Sequence, residues 1–115
     1  MKQTHKQKGA AGESAASFFL QNQGLRLITS NFYSRFGEID LIMHDGDSYI
    51  FVEVKIRKSG VGSGIESITY AKQMKLVKTA QFFIMKLGKD VNCRFDAVIL
   101  DDNGNIEWLK NIITL

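Results

Sequence analysis

Two short apolar runs on either side of an Asp45-Gly46 dipeptide dominate the hydrophobic pattern of the stretch 37–57. Asp-Gly favours the positive φ angles of tight hairpin turns. The runs are also nearly apolar on both faces, which is typical of strands at the centre of a covered sheet. The pattern therefore predicts two antiparallel strands joined by a tight turn.

Helical periodicity is found before and after this hairpin. An apolar arc with a period of 3.6 residues predicts a first helix over 10–23, with Gly24 as its stop signal. A second helix is predicted to end at Gly88. Its N-cap is either Ser63, which forms a capping box, or Thr69.

Further apolar segments predict strands over 25–33, 93–100 and 106–113, and Asn103-Gly104 predicts a hairpin turn before the last one. A strand-helix-strand unit is almost always parallel and right-handed. The simplest arrangement is an α/β fold with a mixed five-stranded sheet of order 1-2-3-4-5. Strands 2 and 5 run antiparallel to the rest, and a helix covers each face.

Composition narrows the class of protein. The chain of 115 residues is 44% hydrophobic and 23% charged, as expected for one globular domain. Residues 1–8 are basic and polar and are predicted to form a flexible arm, which leaves 9–115 as a single domain. The arm is either a solvated tail or a contact to phosphates.

The net charge of +3 is compatible with a polyanionic partner. Cys93 is the only cysteine, which excludes an internal disulfide and fits a reducing cytoplasm. No segment approaches the length of a membrane span, and the first residues lack the apolar core of a signal peptide. We therefore expect a cytoplasmic protein with no membrane partner.

Charged side chains fall on one face of the predicted hairpin: Asp40 on its first strand, and Glu53 and Lys55 on its second. Buried charges are costly unless they are paired or bind a metal. Asp40 and Glu53 are predicted to share Mg²⁺, with Mn²⁺ as a substitute, and the carbonyl of Val54 could complete the ligand shell. Glu13 would add a third carboxylate if the first helix packs over this face.

Lys55 would lie beside the metal, where it could hold the attacking water or stabilise charge on a phosphate. The alternative is that Lys55 merely neutralises Glu53 or Asp40 in a structural ion pair. Lys72 and Gln73 of the second helix lie within its core-facing arc. Both side chains could reach the same site. The alternative for Lys72 is that its ammonium group extends past the core to solvent.

The order of elements, with Asp on strand two and Glu-x-Lys on strand three, resembles the PD-(D/E)xK nuclease superfamily. The whole chain resembles more closely the small bacterial YraN-like family, which is similar to Holliday-junction resolvases. The matching segments include Gly9-Ala10-Ala11-Gly12-Glu13, Gly37-Glu38-Ile39-Asp40-Leu41-Ile42, Phe51-Val52-Glu53-Val54-Lys55, Arg94-Phe95-Asp96 and Ile106-Glu107-Trp108-Leu109.

This resemblance implies a three-layer α/β/α, restriction-endonuclease-like fold. It makes Asp40 and Glu53 metal ligands, Lys55 the catalytic lysine, Glu13 the acid of the first helix, and Lys72 or Gln73 a contact from the second helix. The proline that precedes the catalytic Asp in the wider pattern is replaced here by isoleucine.

An arginine that the pattern leads one to expect shortly after Asn31 is replaced by Tyr33, with Arg35 nearby. Outside the second helix, Arg35, Arg57 and Lys58 are the expected contacts to nucleic acid. The site suggests a metal-dependent nuclease that binds and hydrolyses DNA, with branched structures as candidate substrates. The alternatives are a non-catalytic nucleic-acid-binding module of the same fold and a purely structural charge cluster. By analogy with junction resolvases, a homodimer is possible.

Overall fold

A computed structural model of the chain describes residues 5–58 and 68–113. It contains two helices and five strands: α1 (His5–Asn22), β1 (Arg26–Ser34), β2 (Gly37–His44), β3 (Ser48–Arg57), α2 (Tyr70–Leu87), β4 (Asn92–Asp101) and β5 (Ile106–Leu109).

The strands form one mixed sheet in the order β1-β2-β3-β4-β5. β3 and β4 are parallel, whereas β1–β2, β2–β3 and β4–β5 are antiparallel pairs. β2 and β5 therefore run opposite to the other strands. The α/β class and the mixed five-stranded sheet agree with the prediction from the sequence. No described helix is long and apolar enough to cross a membrane.

The two helices pack on opposite faces of the sheet. On one face Ala16 and Leu20 of α1 pack against a cluster that includes Met43 and Val52. On the other face, residues of α2 such as Phe83 pack against a cluster that includes Phe51. Because neighbouring residues of a strand point to opposite faces, Val52 and Phe51 mark the two sides.

Helix α1 begins earlier than the sequence predicts. It starts at His5 rather than at Ala10, so part of the expected flexible arm continues the helix, and residues 1–4 lie outside the described residues. Lys and Gln, which occupy positions 6–8, are good helix formers. Further along, the missing side chain of Gly12 allows close packing, because a Cβ there would lie 2.7 Å from Cδ1 of Ile56.

Helix α2 resolves the ambiguity about its N-cap. Thr69 is the N-cap, and its side chain accepts a hydrogen bond from the backbone N–H of Lys72. The rival cap, Ser63, lies outside the described residues. At the other end Gly88 adopts a left-handed conformation, with φ of 70°, which confirms it as the stop.

The tight turn between β2 and β3 also forms as predicted. The backbone N–H of Asp45 donates to the carbonyl of Ser48, and Gly46 has a φ of 99°. The carboxylate of Asp45 accepts hydrogen bonds from the backbone N–H groups of Asp47 and Ser48. These bonds lower the pKa of Asp45 and fix the hairpin that supplies the candidate site.

Strand β5 ends at Leu109, earlier than the predicted end at Ile113. Asn111 adopts a left-handed φ of 57°, and its backbone N–H donates to the buried carboxylate of Asp96 at 2.9 Å. Trp108 Nε1 and Arg94 Nε also donate to that carboxylate. Asp96 thus turns the chain away from the sheet and ties the C-terminal segment to β4.

Candidate functional site

The candidate site begins where the regular pairing of β2 with β3 stops. The described ladder ends at Leu41 and Val52. One residue further, Oδ2 of Asp40 accepts a hydrogen bond from the backbone N–H of Val54 at 2.8 Å. A side-chain carboxylate therefore takes the place of a strand carbonyl, and this bond holds Asp40 against the strand that carries Glu53.

Glu53 is the centre of the charge cluster. The residue is 7% exposed, and its Oε1 lies 3.8 Å from Nζ of Lys55 and 3.4 Å from Nζ of Lys72. Lys55 comes from the same strand, whereas Lys72 comes from the first turn of α2. One buried carboxylate oxygen is thus shared by two ammonium groups, and Asp40 is the neighbouring acid.

Burial and the charge of Glu53 raise the pKa of Asp40 to about 7, although the hydrogen bond from Val54 lowers it. Burial and the adjacent Lys72 lower the pKa of Lys55. For Lys72, burial lowers the pKa, but Lys55 and Glu53 raise it by more. The site therefore holds an acid that titrates near neutral pH and a lysine that loses its proton more readily than usual.

Asp40, Glu53 and Lys72 line a cavity of about 220 Å³ on the α2 face of the sheet. Its floor is formed by β2 and β3 and its wall by α2. The backbone of Gly37, with a φ of 149°, sits against α2, where an added Cβ would lie 3.6 Å from Cβ of Lys75. The lining residues are Gly37, Glu38, Asp40, Glu53, Lys72, Lys75 and Leu76.

Glu13 does not lie on the face that the sequence analysis required, because α1 covers the side of the sheet opposite to α2. Its carboxylate is nevertheless close enough to the site for Glu38 and Glu53 to raise its pKa, after the larger effect of burial. When the amide of Asn31 is oriented with its nitrogen toward Glu13, it donates to both carboxylate oxygens at 2.9 and 3.0 Å.

Asn31 is a residue that sequence reasoning missed. Its φ of 53° within β1 is unusual for a strand, but asparagine tolerates the left-handed region better than most residues. The signal in the sequence that could have indicated this irregularity is an asparagine among residues that favour strands. Tyr33, at the position of the expected arginine, forms a hydrogen bond to Glu38 that raises the pKa of the Tyr33 hydroxyl.

The donor atoms suit a hard divalent cation only in part. Asp40 and Glu53 offer carboxylate oxygens, which Mg²⁺ prefers, and water and substrate oxygens usually complete its shell. Within residues 5–58 and 68–113, no group of three or more His, Cys, Asp or Glu residues is arranged to hold a metal ion. A cation would therefore rest on two carboxylates and would compete with Lys55 and Lys72 for Glu53.

The residues predicted to contact nucleic acid are not all at this site. Lys72 is, but Gln73 turns back and donates to the carbonyl of Ile68. Arg35 lies in the turn between β1 and β2, with its guanidinium 4.9 Å from the centre of the Phe36 ring.

The remaining two predicted contacts, Arg57 and Lys58, are the last residue of β3 and the residue that follows it. Arg57 pairs in register with Asp101 of β4, and its charge lowers the pKa of that acid after the larger effect of Asn105. Lys58 is exposed immediately after β3, and the loop that follows it lies outside the described residues.

Comparison with solved structures shows the same fold in Hjc of Archaeoglobus fulgidus, a Holliday junction resolvase from an archaeal hyperthermophile. The TM-score is 0.58 at 17% sequence identity, and the match covers 90% of this chain and 72% of that one. At this identity the similarity establishes the fold alone.

Sequence comparison gives nearer relatives. A UPF0102 protein of Nitrosomonas eutropha is 47% identical over 107 residues, which is 92% of each chain. One from Psychromonas ingrahamii is 44% identical over 111 residues, which is 95% of this chain and 91% of that protein. The model of the family described as "Uncharacterised protein family UPF0102" matches residues 12–100. This chain therefore belongs to UPF0102, which confirms the YraN-like family that its motifs predict.

Proposed function

We propose that this protein is a metal-dependent endonuclease that binds DNA and hydrolyses its phosphodiester bonds. The observation that carries the proposal is the convergence of Asp40, Glu53, Lys55 and Lys72 at the point where the β2–β3 ladder ends. Asp40, Glu53 and Lys72 line one small cavity, and Lys55 pairs with Glu53 beside it. Together these residues provide ligands for a cation and positive charge for a phosphate.

Each residue of the cluster has a separate role in this proposal. Asp40 and Glu53 would hold Mg²⁺ or Mn²⁺, with the carbonyl of Val54 as a further ligand. When bound, the cation would supply Lewis-acid polarisation of the scissile phosphate and would activate the attacking water. The lowered pKa of Lys55 suits it to take a proton from the attacking water, whereas Lys72 keeps its charge and faces the phosphate.

Glu13 and Asn31 have a supporting role. The negative charge of Glu13 interacts with that of Glu53, so Glu13 would strengthen the attraction of a cation to the site. The fold is that of a Holliday junction resolvase, and we therefore propose branched DNA as the substrate. This inference rests on analogy of fold, and it is the reason to include four-way junctions in any assay.

A second function, a nucleic-acid-binding module without turnover, is favoured by one observation. Lys55 and Lys72 already neutralise Glu53, so the cluster is stable without a cation. The two functions differ in their response to divalent cations. An enzyme requires the cation for cleavage, whereas a binding module has no need of it.

The test is a cleavage screen over linear, flapped, single-stranded and four-way DNA with Mg²⁺ or Mn²⁺. We expect cleavage of at least one substrate by the wild type, and its loss by a factor of about 10³ or more in Glu53→Gln, because glutamine is a poor ligand for a hard cation. Glu107→Gln, at an exposed position of β5, is the matched control and should cut normally. Cleavage by Glu53→Gln at the wild-type rate would disprove the assigned site, and metal-independent binding without any cleavage would favour the binding module.

A further inference from the structure

A second concave surface lies between α2 and the turn that joins β1 to β2. It is a groove of about 500 Å³, which we call the aromatic groove. Its lining residues are Arg35, Phe36, Lys78, Gln81, Phe82 and Met85. Its lining includes two cationic side chains and no acidic one. The acids that are proposed to hold a cation, Asp40 and Glu53, do not line this groove, so the proposed hydrolysis leaves it without a role.

Cations lie on the aromatic rings of the groove. The guanidinium of Arg35 is 4.9 Å from the centre of the Phe36 ring, and Nζ of Lys78 is 5.9 Å from it. Lys86 lies 4.9 Å from the centre of the Phe82 ring. Aromatic rings flanked by basic side chains are the arrangement with which proteins stack unpaired bases and hold the adjoining phosphates.

The aromatic groove and the candidate site are lined by neighbouring residues of the chain. Phe36 precedes Gly37, whose backbone lines the site and packs against Lys75 and Thr79 of α2. Lys72 and Lys75 line the site, and Lys78 lines the groove. Because residues three apart on a helix are neighbours on its surface, these lysines form a positively charged path between the two cavities.

We propose that the aromatic groove stacks unpaired bases of the nucleic-acid substrate, while the lysine path carries the intervening phosphates to the candidate site. The proposal rests on the proposed function and adds a substrate class to it, namely nucleic acid with a single-stranded segment beside the scissile bond. A second copy of this chain is a poor occupant for the groove, because its net charge of +3 opposes approach to a basic surface.

The test measures binding in a chelating buffer, where no cleavage occurs. Fluorescence anisotropy compares a fully paired duplex with the same duplex carrying a single-stranded extension. Phe36→Leu should weaken binding of the extended duplex about tenfold, as expected for the loss of one base-stacking contact, and should change binding of the paired duplex by less than about twofold. Lys78→Gln should weaken binding of both, because it removes a phosphate contact.

Two variants on the opposite side of the molecule serve as matched controls. Phe18→Leu changes a phenylalanine of α1 that is 68% exposed, and Lys110→Gln removes a lysine 4.3 Å from the Trp108 ring. Neither should alter the preference for the extended duplex. Phe36→Trp should keep that preference, and its added fluorescence should be quenched by the single-stranded oligonucleotide, a readout that remains if Phe36→Leu fails to fold.

The proposal is overturned if Phe36→Leu weakens the two duplexes equally or not at all. It is also overturned if sedimentation shows that this substitution dissociates an oligomer without changing affinity, since the groove would then join copies of the chain. Failure of the nuclease proposal would give a different experimental result from failure of the stacking proposal. In that case Glu53→Gln has no effect on any cleavage, while the stacking preference in the chelating buffer remains.

Discussion

Asp40 is subject to two opposing influences. The N–H of Val54 favours its ionised form, whereas burial and the neighbouring Glu53 favour its neutral form, and the second influence prevails. Its pKa of about 7 in the folded protein lies well above the usual 3.8. Without a cation, ionisation of this residue therefore works against folding.

The sign of the pH dependence follows from this raised pKa. The folded state binds the proton more tightly than the unfolded state, so the stability due to the neutral acid is complete below about pH 4 and is lost as pH rises through about 7. Asp40→Asn should thus raise the free energy of unfolding of the metal-free protein by about 1–3 kcal/mol at pH 8 and leave it little changed at pH 4. Urea denaturation at both pH values checks this.

The same substitution should remove binding of a divalent cation. Calorimetry with Mn²⁺ should show affinity that increases from pH 6 to pH 8 in the wild type, because Asp40 must lose its proton to bind, and no binding in Asp40→Asn. Asp47→Asn, in the exposed β2–β3 turn, is the control. Equal Mn²⁺ affinity in wild type and Asp40→Asn would mean that the cluster is only a structural ion-pair network.

Glu53 and Lys55 can be separated by their effects on binding. Both Glu53→Gln and Lys55→Met should abolish cleavage, but in metal-free buffer their effects on DNA affinity should have opposite signs. Removal of a carboxylate that repels phosphates leaves affinity unchanged or higher, whereas removal of a lysine lowers it, by roughly two- to tenfold. Titration of labelled DNA, after circular dichroism confirms folding, provides the measurement; a loss of affinity in Glu53→Gln contradicts the assignment.

At the scale of elements, the first turn of α2 connects the fold to the site. Thr69 caps the helix by accepting the N–H of Lys72, whose side chain reaches Glu53. Gln73 bonds back to the carbonyl of Ile68 and fixes the same turn from its other side. The position of the Lys72 ammonium therefore depends on a helix cap as well as on its ion pair.

Thr69→Ala should lower the free energy of unfolding by about 1 kcal/mol, because a helical N–H loses its acceptor. It should also weaken cleavage or DNA binding by loosening Lys72. Thr69→Ser keeps the hydroxyl and should restore both stability and activity. Chemical denaturation of the three proteins checks the first effect. A Thr69→Ala protein as stable as the wild type would show that tertiary packing alone holds the turn.

At the scale of the whole molecule, the net charge is small but its distribution is uneven. Lys72, Lys75 and Lys78 extend along α2 beside the candidate site, and Arg35 lies at the end of this path in the aromatic groove. These side chains suit contact with phosphates, which carry no sequence information. Affinity should therefore depend on salt more than on sequence.

If three to five phosphates are neutralised, a plot of log affinity against log salt concentration should have a slope of roughly −3 to −4.5. Lys75→Gln should make that slope less steep by about one. Lys89→Gln, which changes an exposed lysine beyond the end of α2, should not. Binding titrations from 50 to 300 mM salt provide the test. A slope near zero would exclude recognition through the phosphate backbone.

The sequence by itself determined the features that depend on near neighbours in the chain. Alternation along a strand placed Glu53 and Lys55 on one face, and Asp45-Gly46 and Gly88 marked a turn and a helix end that both formed. Local sterics and a period of two or 3.6 residues suffice for such predictions. The motifs also identified the family, because they extend over most of the chain.

Only the tertiary structure decided which distant groups meet. It placed α1 on the face opposite to the carboxylates, brought Asn31 to Glu13, and set Lys72 against Glu53. It also ended β5 early, because Asp96 draws Asn111 away from the sheet. These outcomes depend on how whole elements pack and on which buried polar groups must find partners. Neither condition is expressed in the spacing of residues along the chain.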